Sequence, residues 1–321
     1  HKERKHTMSF TYTPYKQQRS EASGPRREID FDALNEHMVT QFGPKERRMV
    51  GIISGIYDLG IQERDPYEVE WNEKDSTRAG ATEYIEDGKR MLRITARPTP
   101  GVALTVDFPQ IIVDKGQFYE GKSDPKPLRL LLNGEFTKES TTEPGKKELC
   151  VNRPLWVQES KDDVTGKWAI AKTNKLHKLA SYCDVLDSEG RFHSRDIGKL
   201  LGKAAQFKVH VFIREGKWLN ERIEAEGGVM EGVPIPEIDP SLLHGMAMFG
   251  SIDPEAVRTA RRSILNSCKR ALNYDKSDLK KFLESGGFTK PAPVAEQPKV
   301  APESKVETTQ PEEWPEDDVP F

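Results

Sequence analysis

Met49-Val50-Gly51-Ile52-Ile53-Ser54-Gly55-Ile56-Tyr57 is an apolar run that carries two glycines four residues apart. Its β-branched content reads as a strand. Glycine inside a strand marks a bulge or a sharp bend, because the missing Cβ frees the backbone and admits a close neighbour. A strand bent in this way is what a sheet needs to curl into a barrel. Further along, Arg90 to Arg97 alternates, with Leu92, Ile94 and Ala96 facing inward and Arg93, Thr95 and Arg97 outward. The turn Pro98-Thr99-Pro100-Gly101 then leads into Val102, Leu104, Val106 and Phe108 on one face of a second strand. Leu128 to Leu132 forms another short strand. Leu155 to Gln158 and Lys167 to Ala171 form the arms of a small hairpin around Asp162-Asp163-Val164-Thr165-Gly166.

The clearest hairpin comes later. Phe207, Val209, Val211 and Ile213 alternate with Lys208, His210 and Phe212, Glu215-Gly216 turns the chain, and Trp218 to Ala225 returns. Helices are short. Ile29 to Val39 has an uneven apolar stripe of Ile29, Leu34 and Met38, and Ser194 caps a helix that buries Ile197, Leu200 and Leu201. After a Pro- and Gly-rich connector, Asp253 caps a helix that opens with Pro254 and carries Val257, Ala260, Ile264, Leu265 and Cys268 as its stripe. Ser277 to Leu283 is a last helix, stopped by Gly286-Gly287. The chain therefore divides into a polar arm over 1–24, a mainly-β domain over 25–235, a helical appendage over 236–288 and a tail over 289–321. Within the arm, His1 to Thr7 before Met8 reads as an expression remnant.

From Pro291 onward Pro, Glu, Lys, Val, Ala and Thr alternate without apolar periodicity, so burial cannot offset the entropy of ordering. The net charge of −3 over 321 residues hides a polarity. Residues 291–321 hold eight acidic and two basic side chains, which leaves 47 basic against 44 acidic residues in the remainder. A weakly basic body joined to an acidic tail is the result. Cys150, Cys183 and Cys268 are odd in number and widely spaced, which favours a reducing compartment. No Cys or His pair has the short spacing of a zinc site; His177 with Cys183 and His193 with His210 are the only combinations worth weighing. No cofactor is expected. No apolar run approaches the roughly 20 residues that cross a bilayer, so the expected location is the cytoplasm, with no membrane partner.

Sequence-independent binding of a single strand needs cations along the phosphates and flat aromatic faces for the bases. The outward positions of the strands supply both. Arg93 and Arg97 share one face, Lys208, His210 and Phe212 another, and Trp218 and Arg222 stand on the same side of the returning strand. Arg153 with Trp156, Lys167 with Trp168, and Lys203 complete the candidate set. Phe212 is the most telling, because Phe207, Val209, Val211 and Ile213 already furnish a core face without it.

The chain closes on Trp314-Pro315-Glu316-Asp317-Asp318-Val319-Pro320-Phe321. Asp317-Asp318-Val319-Pro320-Phe321 resembles the C-terminal tip of bacterial single-stranded DNA-binding proteins and of related bacteriophage proteins of the same kind. Ile197-Gly198-Lys199-Leu200-Leu201-Gly202-Lys203, running into the hairpin, also resembles a stretch of phage replication proteins of this type. The resemblance implies an OB-fold-like β-barrel with insertions. It implies protection of single-stranded DNA during viral replication, recombination and repair, in a host bacterial cytoplasm. Trp314, Asp317, Asp318, Val319, Pro320 and Phe321 would then dock on a polymerase, primase, helicase or nuclease and compete with DNA for the groove. No catalysis is expected. The alternatives are a strand-annealing recombination protein and a metal-dependent nuclease with Asp162-Asp163, or Asp184 and Asp187, on Mg²⁺. Gly198 to Lys203 is too short for a phosphate-binding loop, and Ala204 stands where a Ser or Thr should ligate Mg²⁺.

Overall fold

The computed structural model describes residues 29–119, 121–140, 143–161 and 166–286. The expected N-terminal arm, the acidic tail with its docking tip (Trp314, Asp317, Asp318, Val319, Pro320 and Phe321), and Asp162 with Asp163 lie outside the described residues.

Helix α1 (Phe31–Phe42) is capped by the Asp30 carboxylate and leads into the 16-residue strand β1 (Arg47–Gln62). A small separate sheet follows: β2 (Tyr67–Glu70), the one-turn α2 (Glu73–Ser76), β3 (Ala81–Glu86) and β4 (Lys89–Ile94), in the order β2-β4-β3. The chain returns through β5 (Thr99–Asp114), α3 (Gly116–Tyr119) and β6 (Pro125–Leu131). Next come the hairpin of β7 (Glu135–Glu139) and β8 (Lys147–Val151), the short β9 (Leu155–Trp156), and a second hairpin of β10 (Glu159–Lys161) and β11 (Trp168–Ile170). Helix α4 (Lys175–Tyr182) precedes the long hairpin β12 (Ala204–Arg214) and β13 (Trp218–Gly227). Strand β14 (His244–Met246) and helices α5 (Pro254–Thr259), α6 (Arg262–Lys269) and α7 (Asp278–Glu284) finish the described chain.

The main sheet runs β13-β12-β1-β5-β6, antiparallel throughout, with β14 and β9 added on β1 and β5. The expected bulge is present, between Ile53 and Gly55. A Cβ on Gly51 would stand 2.6 Å from Val106 Cγ1, so this glycine lets β1 press onto the β5 core. Beyond the bulge β1 exchanges partners: residues 47–52 pair with β12 and residues 55–57 with β14. The neighbour on that side of β1 thereby changes from the antiparallel β12 to the parallel β14.

Two cores lie on opposite faces of this sheet. One gathers Phe42, Leu104, Phe108, Leu128, Leu176 and Phe207 beneath α1 and α4. The other packs Val257, Ile264, Cys268 and Leu279 of the C-terminal helices against Tyr57 and Leu59 of β1. Asp107, buried among the strands, is held by Ser54 at 2.6 Å and by both Nε and Nη2 of Arg129 at 2.7 and 2.9 Å.

Several expectations are corrected. The barrel is not closed by hydrogen bonds: among the described residues no ladder joins the edge strands β6 and β13, although their Cα atoms come within 8 Å. Pro125 and Pro127 of β6 have no N–H to offer a neighbour. Pro98 to Gly101 is not a turn, since Thr99 and Pro100 already pair with Gln62 and Ile61. β4 ends at Ile94, before Arg97. Leu155 and Trp156 pair with β5, so the small hairpin starts at Glu159 instead. Residues 194–200 form a 3₁₀ helix without a side-chain cap; Ser194 bonds Glu159 through its N–H and hydroxyl. The helix opened by Pro254 breaks at Ala260 and Arg261, both extended, and Arg261 turns to the seam between β6 and β13.

Candidate nucleic-acid interface

The β12–β13 hairpin is built as its alternation dictates. Phe207, Val209 and Val211 are buried, and Glu215 and Gly216 turn the chain with φ of 54° and 65°. The even-numbered residues are left on the outer face in cross-strand pairs: Lys208 with Glu224, His210 with Arg222, Phe212 with Asn220, and Arg214 with Trp218. His210 stacks on Phe212, ring centroids 4.5 Å apart and 27° from parallel, and the Arg222 guanidinium lies 5.1 Å from the centre of the Phe212 ring. A ring stack tied to a cation is a ready platform for a base.

Beside this platform runs a trough of about 720 Å³. One wall is β13, with Asn220, Arg222 and Glu224. The facing wall is the segment Leu131 to Glu135 with Asn152 and Arg153, and α4 contributes Lys175, Lys178 and Tyr182. A second hollow of about 580 Å³ continues it, sharing Asn152, Arg153, Leu155 and Lys175 and adding Arg64 and Trp156. The Arg64 guanidinium sits 5.0 Å from the centre of the Trp156 ring, repeating the cation-on-ring arrangement. Among the described residues no carboxylate lines this second hollow. The first carries both signs. Glu46 holds Lys208 at 3.0 Å, which raises the lysine's pKa, and Glu135 and Glu221 are engaged by Arg261.

Of the residues expected from the sequence, Arg153, Trp156, Lys208, His210 and Arg222 line this continuous groove. Phe212 stacks at its rim, and Trp218, 59% exposed, extends the same hairpin face beside Lys217. The others stand elsewhere. Arg93 is on the small sheet, opposite Glu68 and Thr82, and Arg97 is exposed after it. Lys167 is bound to Glu189, with the exposed Trp168 next to it on the β10–β11 hairpin. Lys203 is exposed just before β12.

Comparisons with protein-family models, curated proteins and solved structures return no match. The assignment of function therefore rests on the chain's own geometry.

Arg64, Lys175, Lys178 and Tyr182 were missed in the sequence. The last three belong to α4, whose N-cap Asn174 accepts from the Leu176 N–H at 2.9 Å and whose Leu176, Leu179 and Ala180 are buried. Asn174 followed by apolar residues at helical spacing was the available signal.

Of the carboxylates weighed for Mg²⁺, Asp162 and Asp163 lie outside the described residues, and Asp187 is occupied by other partners. Asp187 accepts the Arg191 N–H at 2.8 Å, the Glu189 N–H at 2.9 Å and Arg191 Nε at 3.0 Å. The Arg191 N–H chiefly, with the guanidinium behind it, brings its pKa down to about 2. His177 bonds the Gly190 carbonyl at 3.1 Å, and His193 faces Asp187 at 3.5 Å. Among the described residues no helix is long and apolar enough to cross a membrane.

Proposed function

We propose that the protein binds single-stranded DNA without sequence specificity along the groove between β13 and α4, on an OB-type body. The strand order β12-β1-β5-β6 is that of a Greek key, in which a fourth strand returns by a long connection to lie beside the first. With β13 added, this supports reading the sheet as a five-stranded, partly open Greek-key barrel, an architecture suited to oligonucleotides. The observation that carries the reading is the meeting of Arg153, Lys175, Lys178 and Arg222 with two cation-capped rings, Trp156 and Phe212, along one groove.

The division of chemistry follows from the lining. Phosphates are matched by the second hollow, where Arg64, Arg153 and Lys175 stand with no carboxylate among the described lining residues. Bases are matched by the mixed donors and acceptors of the first and by the His210–Phe212 stack. The acidic C-terminal residues imitate a phosphate chain, so in this reading they compete for the same groove and recruit a replication enzyme once DNA displaces them.

Titration of intrinsic tryptophan fluorescence with oligonucleotides over a range of salt tests the proposal. Arg64, Arg153 and Lys175 on phosphates give a slope of log affinity against log salt of about −2, at about 0.7 per contact for a single strand. Absence of binding in dilute buffer would refute it.

A further inference from the structure

The two edges of the main sheet meet without a ladder, yet one side chain touches both. Arg261 leaves the break between α5 and α6 and reaches the seam. Its Nη1 lies 2.7 Å from Glu221 of β13 and 3.4 Å from Glu135 at the start of β7, and its Nη2 donates to the Arg129 carbonyl of β6 at 2.7 Å. Ser263 of α6 donates a hydrogen bond to the same Glu135. The three side chains are largely shielded, 21%, 16% and 24% exposed for Arg261, Glu221 and Glu135. Glu221 and Glu135 also line the groove from opposite walls.

We propose that Arg261 is a positioning residue for strand binding: it clasps β13 to the β6–β7 segment and so fixes the distance between the two groove walls. A planar guanidinium with five donors in a fixed fork can serve three acceptors on three strands at once, whereas a lysine ammonium is a point charge on a flexible stem. Without the clasp the β13 wall, with Arg222, stands free of the Arg153 wall. Arg261 touches no DNA in this scheme, and the scheme rests on the DNA-binding reading above.

The sign of one substitution separates positioning from charge. Glu221 is an anion in a groove for a polyanion, so by charge alone Glu221→Gln should tighten DNA binding. The clasp predicts the opposite, about tenfold weaker binding. Arg261→Lys, which keeps the charge, should also weaken binding about tenfold. In both variants the loss should lie in a faster dissociation rate; association should be unchanged in Arg261→Lys, which keeps the charge, and no slower in Glu221→Gln, which removes an anion from the groove. The measurement is stopped-flow fluorescence on the full chain with a fluorescent oligonucleotide, well below each variant's melting temperature. A reduced stability alone would leave the dissociation rate of the folded protein unmoved. Wild-type protein that binds while Glu221→Gln binds equally or more tightly overturns the clasp and leaves the function standing. Wild-type protein that binds no oligonucleotide overturns both. If Arg261→Lys does not fold, Glu221→Gln decides alone.

Discussion

Replacing Phe212 by alanine should separate binding from stability. Phe212 is half-buried on the outer face of β12, where it stacks on His210 and underlies Arg222. Its loss removes one stacking platform, at about 1–3 kcal/mol per base. That corresponds to about 5- to 150-fold in affinity, at about 1.4 kcal/mol per tenfold. The fold loses only a cation–ring contact and some outer-face packing, at about 1 kcal/mol. For a protein of this size the melting temperature should then fall by about 2–4 °C. Phe207→Ala is the counterpart. Phe207 is fully buried and meets Phe108 edge-to-face at 6.0 Å, so its removal should cost about 3–5 kcal/mol of stability. Fluorescence anisotropy with a labelled oligonucleotide and thermal unfolding by circular dichroism read the two effects. Unchanged affinity in Phe212→Ala, or a melting loss as large as that of Phe207→Ala, would refute the assignment of an outward platform.

Three further substitutions probe the body. Gly55→Ala would place a Cβ 2.5 Å from Tyr57 Cε2 and against Thr105 Oγ1, so overpacking should destabilise the protein by about 1–3 kcal/mol in denaturant titration. Arg129→Met leaves the buried Asp107 carboxylate with Ser54 in place of a bidentate partner, and should cost about 3–5 kcal/mol; the double variant with Asp107→Leu should recover much of it. Asp187 has a folded pKa depressed from 3.8 to about 2, so its contribution is present above pH 3.8 and disappears as the pH falls towards 2. Asp187→Asn should therefore be less stable than wild type at neutral pH, and the gap should close on acid titration followed by circular dichroism.

The sequence made the hairpin and the bent first strand readable because each is a local pattern. Alternation over Phe207 to Ile213 fixes which side chains are buried, and glycine at Gly55 marks the bulge directly. The seam was not readable. Arg261 looked like one position on a continuous helix, since nothing between Asp253 and Cys268 announces a break; the helix yields there because Arg261 gains partners on β6, β7 and β13. Such partners lie 40 to about 130 residues away, beyond any local pattern. The same holds for the groove. His210 and Arg222 could be paired from the hairpin alone, whereas Arg64 meets Trp156 only because β9 returns to the edge of β5. Alternation puts Arg93 and Arg97 on one outward face, but β4 ends at Ile94 and the chain between β1 and β5 folds into its own small sheet.

The most direct test is to locate the strand on the protein. A single-stranded oligonucleotide carrying photoreactive 5-iodouracil, crosslinked to the full chain and mapped by mass spectrometry, should attach at Trp156, Tyr182 and Phe212, and the attachment should fade with added salt. Crosslinks confined to the small β2-β4-β3 sheet or to the C-terminal helices, with none along the β13–α4 groove, would contradict the account.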